Sequence, residues 1–170
     1  MPKSFEDSFI KVAGLIGGPD YIQVAKALSA AENSTDEEIA ELTQLKINIV
    51  RKSLYDLFGR SLITGTRVRD LKRGWFVYRW KAQHDQVEPF VERQKNKALL
   101  RLKQRLNYES VNEFYHCGNL NCIKYTFDSA VQVGFKCQVC NLTLNLYNNT
   151  ELKKALDAKI HEISTEDNVD

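Results

Sequence analysis

Apolar residues in the first part of the chain recur at the three- and four-residue spacing of amphipathic helices. The first helical stripe consists of Phe9, Val12, Ala13 and Ile16. Glycines and a proline at 17–19 end this helix, and Asp20 is the expected N-cap of the next one. Thr35 and Glu38 form a capping-box pattern, which predicts a short third helix through Leu42.

A fourth helix and then a change of periodicity follow. The helix is predicted from about Lys46 to Gly59, where a left-handed cap is expected. Its expected buried stripe is Ile47, Val50, Leu54, Leu57 and Phe58. Alternating, β-branched residues then predict strands at 61–69 and 75–80, joined by a turn at 70–74. This order of elements is typical of a winged helix-turn-helix domain, which either reads duplex DNA or contacts protein.

The second strand of the predicted hairpin, the wing, carries aromatic residues that alternate between its two faces. Trp80 is expected in the core, and Tyr78 lies on the same face of the strand. Trp75 and Phe76 lie beside the turn, at a tip that no core reaches. Large apolar side chains in such a place predict a contact surface for protein or for unstacked bases.

A long helical pattern at 85–107 has a narrow apolar stripe and many basic residues. The pair Glu88-Pro89 suits its start, because proline is tolerated in the first turn. A helix linking two domains is favoured over a homodimeric coiled coil, because fewer than three clean heptads are present. Another helical stripe near the chain end consists of Leu152, Leu156, Ile160 and Ile163.

All four cysteines lie in one short segment, as Cys117-x4-Cys122 and Cys137-x2-Cys140 with fourteen residues between the pairs. Two close pairs about fifteen residues apart are typical of a four-thiolate zinc site. Four cysteines close the coordination sphere, so the predicted zinc is structural. An iron–sulfur cluster and four unrelated thiols are the alternatives.

Strands predicted at 123–127, 130–135 and 142–146 surround the cysteine pairs and indicate a zinc ribbon. His116 adjoins the first expected ligand and could compete with it. The predicted fold is therefore α+β, with an N-terminal winged helix-turn-helix, a long connecting helix and a C-terminal zinc ribbon. The expected domains are the winged helix at 1–83, the helical linker at 84–111, the ribbon at 112–149, and a short helix with an acidic tail at 150–170.

Composition narrows the classes of function. The 170 residues are 43% apolar and 27% charged, which is typical of a folded protein with one ordinary domain or two small ones. The net charge of +2 excludes a basic nucleic-acid coat over the whole chain. No segment approaches the roughly 20 apolar residues of a membrane span, and the N-terminus lacks a secretory pattern. An intracellular protein with no membrane partner is expected.

Charge is nevertheless concentrated between residues 51 and 81, where nine basic residues stand against two acidic ones. This stretch is either a polyanion-facing surface or a solvated face. A sequence-specific repressor, in which Arg51, Lys52 and Tyr55 read a major groove, is one interpretation; it predicts a dimer on a palindromic operator. An enzyme is disfavoured, because no nucleophile–base arrangement or phosphate loop is present and the three histidines are isolated.

The capping box at 35–38, the hairpin Gly-Trp-Phe-Val-Tyr-Arg-Trp at 74–80, and the ribbon segments Phe-Asp-Ser-Ala at 127–130 and Gly-Phe-Lys-Cys-Gln-Val-Cys at 134–140 carry a family resemblance. Together they resemble archaeal transcription factor E, the counterpart of the α subunit of eukaryotic general factor IIE, over nearly the whole chain. One departure is the first cysteine pair, which has four intervening residues where the family usually has two.

The resemblance implies a general initiation factor that joins the RNA polymerase–promoter complex and helps promoter DNA open. The implied partners are the polymerase clamp, the upstream edge of the melted promoter and the promoter-bound TBP complex, in the cytoplasm and associated with the nucleoid. A smaller β-like subunit is a candidate partner, because it accompanies the α-like chain in some archaeal lineages. The residues expected to contact DNA or polymerase are Arg51, Lys52, Tyr55, Lys72, Arg73, Trp75, Phe76 and Tyr78.

Overall fold

The computed structural model describes residues 3–69 and 74–165. They belong to two compact units, one within residues 1–93 and the other within 94–170. The predicted turn at 70–74, apart from Gly74, and the acidic end beyond residue 165 lie outside the described residues. The finer division into four parts stays a prediction. Within the described ranges, no helix is both long enough and apolar enough to cross a lipid bilayer.

The first unit contains the predicted helices followed by the two-stranded wing, so the winged helix-turn-helix prediction is confirmed. A 3-10 turn at His84–Gln86 leads from the wing into a long helix that continues into the second unit. The elements are α1 (Lys3–Gly17), α2 (Pro19–Ala30), α3 (Asp36–Thr43), α4 (Ile47–Gly59), β1 (Ile63–Arg69), β2 (Phe76–Ala82) and α5 (Val87–Val111).

Helix starts follow local chemistry. In α3, the Glu38 backbone N–H donates to the Thr35 hydroxyl at 3.3 Å and the Thr35 N–H donates to the Glu38 carboxylate at 2.8 Å, so the predicted capping box is present. The prediction of Asp20 as an N-cap is wrong, because Gly18 occupies that position with φ 78° and Pro19 opens α2. Proline has the backbone angle of a first helical turn, so the helix begins earlier.

The end of α4 corrects two further predictions. Gly59 is still helical, and the left-handed residue is Ser61 with φ 61°. The Ser61 and Leu62 N–H groups donate to the carbonyls of Phe58 and Leu57 at 2.9 and 3.1 Å, which is the Schellman pattern of helix termination. Phe58, predicted to be buried, is 48% exposed, because it lies at the edge of the helix stripe with its ring against Trp80.

The core of the first unit collects apolar side chains from all four short helices, both wing strands and the first turn of α5. Its fully buried members include Phe9, Val24, Leu28, Ile39, Val50, Leu54, Leu57, Leu62, Ile63 and Trp80. Each large side chain contributes about 1.5–3 kcal/mol through its burial. The predicted stripes of α1 and α4 both belong to this core, in which α4 packs against β1, and α2 and α3 pack against β2.

Trp80 is the junction of this core. Its indole N–H donates to Asp36 Oδ1 at 2.6 Å, and Asp36 Oδ2 accepts from Arg51 Nε at 2.9 Å. One carboxylate thus connects β2, α3 and α4. The Trp80 backbone N–H also donates to the Ser34 carbonyl at 2.9 Å, so the segment before α3 adds a short bridge to the wing.

The second unit contains the end of α5 and then β3 (Phe114–His116), β4 (Tyr125–Thr126), α6 (Phe127–Gln132), β5 (Asn145–Tyr147) and α7 (Thr150–Thr165). The sheet is antiparallel with strand order β4-β3-β5. A strand predicted at 130–135 is wrong. Residues 127–132 are helical, and Gly134 and Phe135 both have left-handed φ, which a strand cannot contain.

A buried polar contact joins the ends of α5 and α7 within the second unit. The Glu109 side chain is fully buried; one oxygen pairs with Arg105, and the other accepts from Asn149 Nδ2 at 2.7 Å. The same amide donates to the Glu109 backbone carbonyl at 2.9 Å. Removing one partner of a buried charge typically costs 3–5 kcal/mol, so this contact orients the start of α7.

The two halves of the Asp36 bridge are predicted to contribute unequally to stability. Asp36→Asn keeps an acceptor for the indole N–H and loses only the pairing with half-exposed Arg51, so we expect a loss below about 1 kcal/mol. Asp36→Leu also leaves a buried donor unpaired and should cost about 1–3 kcal/mol more. Urea unfolding of both variants measures this, with Glu41→Leu on the same helix as a near-neutral control. Equal losses for the two Asp36 variants would contradict the assignment.

A second prediction concerns Gly65, which lies opposite Trp80 in the wing. A Cβ at position 65 would stand 2.7 Å from Trp80 Cζ3, and the buried ring cannot withdraw. Gly65→Ala should therefore lower the free energy of unfolding by about 1–3 kcal/mol. Gly59→Ala is the matched control, because a Cβ there meets nothing within 4 Å and α4 gains helix propensity. Unchanged stability of Gly65→Ala would disprove the close packing.

Candidate metal centre and candidate binding face of the wing

The four cysteines converge on one point of the second unit. Cys117 follows β3, Cys122 lies at the end of the turn before β4, and Cys137 and Cys140 lie in the turn between α6 and β5. Their Sγ atoms all lie within 4.8 Å of one another, and Cys117 and Cys140 are 3.5 Å apart. Sulfurs bound to one tetrahedral zinc are about 3.8 Å apart, since each bond is about 2.3 Å. The cluster could therefore hold a metal ion, as the cysteine spacing predicted.

Backbone contacts shape the second cysteine turn. The Cys137 N–H donates to the Leu142 carbonyl at 2.9 Å, and the Asn141 N–H donates to the Cys137 carbonyl at 2.8 Å. Asn141 takes left-handed φ 61°, which closes the turn. Backbone N–H groups of Cys140 and Val139 lower the pKa of the Cys137 thiol to about 6. This sulfur is thus prepared to be an anion, which is the form that binds metal.

The first cysteine turn differs in its electrostatics. Burial, followed by contacts with the thiols of Cys117, Cys137 and Cys140, raises the pKa of Cys122 to about 12, because these surroundings disfavour a negative charge on its sulfur. A divalent cation among the four sulfurs reverses this cost, since a coordinated thiol is deprotonated outright. The donor set therefore fits a thiophilic divalent ion such as zinc.

His116 contributes no donor to this cluster. Its Nδ1 accepts the Gly118 backbone N–H at 3.2 Å, and its Nε2 lies 3.1 Å from the Cys122 carbonyl oxygen. Both ring nitrogens are therefore occupied. The expected competition with Cys117 for the metal does not arise in this arrangement.

The wing groove is an open cleft of about 890 Å³ between α3, α4 and the hairpin in the first unit. It brings together five of the residues expected to contact DNA or polymerase, namely Arg51, Tyr55, Trp75, Phe76 and Tyr78. Lys52 is exposed on α4 and is not among the groove residues. Lys72 and Arg73 lie outside the described residues.

The aromatic residues of the wing are exposed as expected at its end and buried at its base. Trp75 and Phe76 are 59% and 55% exposed, whereas Trp80 is 1% exposed. Tyr78 is intermediate: its ring stacks on Trp80 with centroids 5.6 Å apart, yet 44% of the residue is exposed. The exposure of the aromatic side chains thus decreases along the hairpin, from Trp75 at its end to Trp80 in the core.

Two arginines of β1 belong to this surface and were not among the expected contact residues. Arg67 pairs with Tyr78 and Arg69 with Phe76 across the hairpin, so their side chains share the aromatic face. The Arg67 guanidinium carbon lies 4.2 Å from the centroid of the Phe76 ring. Alternation along 61–69, combined with the register of the turn, is the signal that could have identified them.

Carboxylates line the opposite side of the wing groove. They all belong to α3 and are Asp36, Glu37, Glu38 and Glu41. Of these, Asp36 accepts the hydrogen bond from Arg51. The positive stretch that is evident in the sequence is therefore partly neutralised by residues that precede it in the chain. A phosphate backbone would meet negative charge along this side of the groove.

Known proteins with similar sequences cover both the winged helix and the cysteine-containing part of the chain. The sequence model of the TFIIE alpha subunit family matches residues 9–111. The chain is 54% identical over 163 residues to a transcription factor E of Cenarchaeum symbiosum, covering 96% of this chain and 95% of that protein. It is 35% identical over 159 residues to a transcription factor E of Pyrococcus abyssi, covering 94% of this chain and 84% of that protein.

Among solved structures, the chain is similar to a possible transcriptional regulator from Methanosarcina mazei, with a TM-score of 0.50 and 18% identity over 60% of this chain and 86% of that one. That similarity concerns the fold alone. The family match and the two relatives extend over most of the chain and include the winged helix. The chain therefore belongs to the TFIIE alpha and transcription factor E family, and is a general transcription factor of that family.

Proposed function

We propose that this chain joins RNA polymerase on promoter DNA and favours the open promoter through its wing, while a zinc-bound ribbon provides a second contact. The observation that carries this proposal is the pair of exposed aromatic residues, Trp75 and Phe76, at the end of a hairpin whose base is locked by Trp80. Exposed rings on a rigid support lose little conformational freedom when they bind.

The wing tip suits an unpaired base or an apolar pocket of the polymerase. Stacking a base on an aromatic side chain is worth about 1–3 kcal/mol. The Arg67 guanidinium over Phe76 adds a cation beside the ring, where it can meet a phosphate or a carboxylate. Contacts of this kind exist only with the melted strand or with a polymerase conformation that accepts it.

Arg51 and the α3 carboxylates argue against a sequence-specific regulator in which α4 reads the major groove. Arg51 is one of the three α4 residues such a reader would use, and its Nε already donates to Asp36. The carboxylates that line the wing groove would repel the phosphates of a duplex. These features favour the aromatic wing over α4 as the working part.

The proposed action is a shift of equilibrium without covalent chemistry. A contact that is about 1.4 kcal/mol stronger in the open complex moves the closed-to-open equilibrium about tenfold. Promoters that melt poorly would depend on it most. The clamp of RNA polymerase, the upstream edge of the melted DNA and the TBP-bound promoter complex are the proposed partners, with a smaller β-like subunit as a further one.

Zinc is proposed to hold the ribbon together through Cys117, Cys122, Cys137 and Cys140. The main buried cluster of the ribbon is small, consisting of Tyr125, Ala130, Cys137 and Leu144. So few buried side chains supply little folding free energy, whereas structural zinc supplies on the order of 10 kcal/mol in zinc-finger peptides. The ion would act as a structural cross-link.

The purified chain should contain one zinc, and Cys137→Ser should lose both the zinc and the folded ribbon. Both tryptophans of the chain, Trp75 and Trp80, lie in the first unit. Tryptophan emission should therefore stay unchanged while metal analysis and amide exchange report the loss in residues 112–149. Zinc retention should also fall on acidification, because protons compete for the thiolates. A wild-type chain without zinc, or with iron and visible absorption, would refute the proposal.

Replacing Trp75 and Phe76 together by Ala should leave the melting temperature unchanged and reduce stimulation of promoter opening about tenfold. The readout is fluorescence of a base analogue placed at the upstream edge of the bubble, on a poorly melting promoter. Leu15→Ala with Leu42→Ala is the matched control, because it removes two exposed apolar residues of the same unit, 88% and 61% exposed, neither of which lines the wing groove.

Normal stimulation by a folded Trp75/Phe76 double variant would show that the wing tip is not the working part. A large drop in melting temperature would show instead that the two rings serve the fold. Polymerase binding measured in parallel separates loss of assembly from loss of opening.

A further inference from the structure

The first cysteine turn is unusually long, and its backbone alone makes few hydrogen bonds. Four residues separate Cys117 from Cys122. Within the turn, the Cys122 N–H donates to the Asn119 carbonyl at 2.9 Å and the Asn121 N–H donates to Asn119 Oδ1 at 3.1 Å. Both bonds lie in its second half. Neither bond supports the start of the turn at Cys117 and Gly118.

The His116 ring supplies that support from both sides. Nδ1 accepts the Gly118 N–H at 3.2 Å, so the ring proton is on Nε2. Nε2 then donates to the Cys122 carbonyl oxygen at 3.1 Å. One imidazole thus connects the residue after the first cysteine to the second cysteine itself, and spans the whole turn.

The ring is itself fixed by the sheet. His116 ends β3 and pairs with Asn145 of β5. The Tyr147 ring of β5 contacts the imidazole edge-on, with the two ring centroids 6.0 Å apart. Lys124 Nζ in turn lies 3.8 Å from the centroid of the Tyr147 ring. The bridge therefore transmits the position of the β3–β5 pair to Cys117 and Cys122.

We propose that His116 is a positioning residue for the metal centre: its two hydrogen bonds hold Cys117 and Cys122 in the geometry that binds the ion, without coordinating it. This inference rests on the zinc site of the proposed function. Groups that orient metal ligands typically change metal affinity 10–100-fold when they are removed. The imidazole bridge would compensate for the length of the first cysteine turn.

The test uses three substitutions in the full chain that separate hydrogen bonding from ring packing. His116→Phe keeps the ring volume against Tyr147 and removes both hydrogen bonds. His116→Asn keeps an acceptor near the Nδ1 position, and His116→Gln keeps a donor near the Nε2 position. His161→Phe, on exposed α7, is the matched control for a histidine-to-phenylalanine change.

Zinc transfer to an excess of 4-(2-pyridylazo)resorcinol is followed by absorbance, and Co²⁺-substituted chains report ligand geometry by their visible spectra. We expect His116→Phe to release zinc about tenfold faster or more and to alter the Co²⁺ spectrum. His116→Asn or His116→Gln should release it more slowly than His116→Phe, and His161→Phe should match the wild type.

Ring packing alone predicts the reverse order, with His116→Phe resembling the wild type, and that result would overturn the proposal. Release from His116→Asn and His116→Gln as fast as from His116→Phe would overturn it too. A wild-type chain that binds no zinc refutes the zinc site itself. A zinc-bound wild type with an unaffected His116→Phe variant refutes only the positioning role.

Discussion

The carboxylate of Asp36 is the contact on which the arrangement of the winged helix depends. A buried indole needs an acceptor for its N–H, and Asp36 provides one at the start of α3 while its second oxygen takes the Arg51 guanidinium from α4. The wing, the short helix and the longer helix therefore meet at one residue. Because the base of the wing is fixed in this way, its aromatic end can remain exposed without requiring a core of its own.

The two compact units obtain their stability from different sources. The first buries large side chains from six elements and the start of α5, so burial of apolar surface is the main source of its cohesion. The ribbon buries few, and its four sulfurs form the centre of its core together with Tyr125, Ala130 and Leu144. In the proposed zinc-bound state, metal coordination supplies the folding free energy that the small apolar core does not. Hydrogen bonds from His116 and from the Cys137 turn then maintain the spacing of the ligands.

Local chemistry made most of the fold predictable. The capping box, the stripes of α1 and α4 apart from Ile47 and Phe58, and the cysteine spacing each depend on neighbours close in sequence, and each was confirmed. The strand predicted at 130–135 failed for a local reason, because a helix occupies 127–132 and Gly134 and Phe135 then take left-handed φ. The neutralisation of Arg51 by Asp36 could not be read from the chain, because fifteen positions separate them and only the packing of α3 on α4 joins them.

The buried contact between Glu109 and Asn149 closes a loop of forty residues that contains all four cysteines. Both ends of the ribbon are therefore tied together independently of any metal. Bringing the ends of this loop together costs conformational entropy, and the Glu109–Asn149 contact already accounts for part of that cost. The cysteines therefore lose less entropy when they converge. By thermodynamic linkage, whatever holds the cysteines together must in turn favour the docking of the first turn of α7. Closure of the cysteine cluster and attachment of the C-terminal helix therefore stabilise each other.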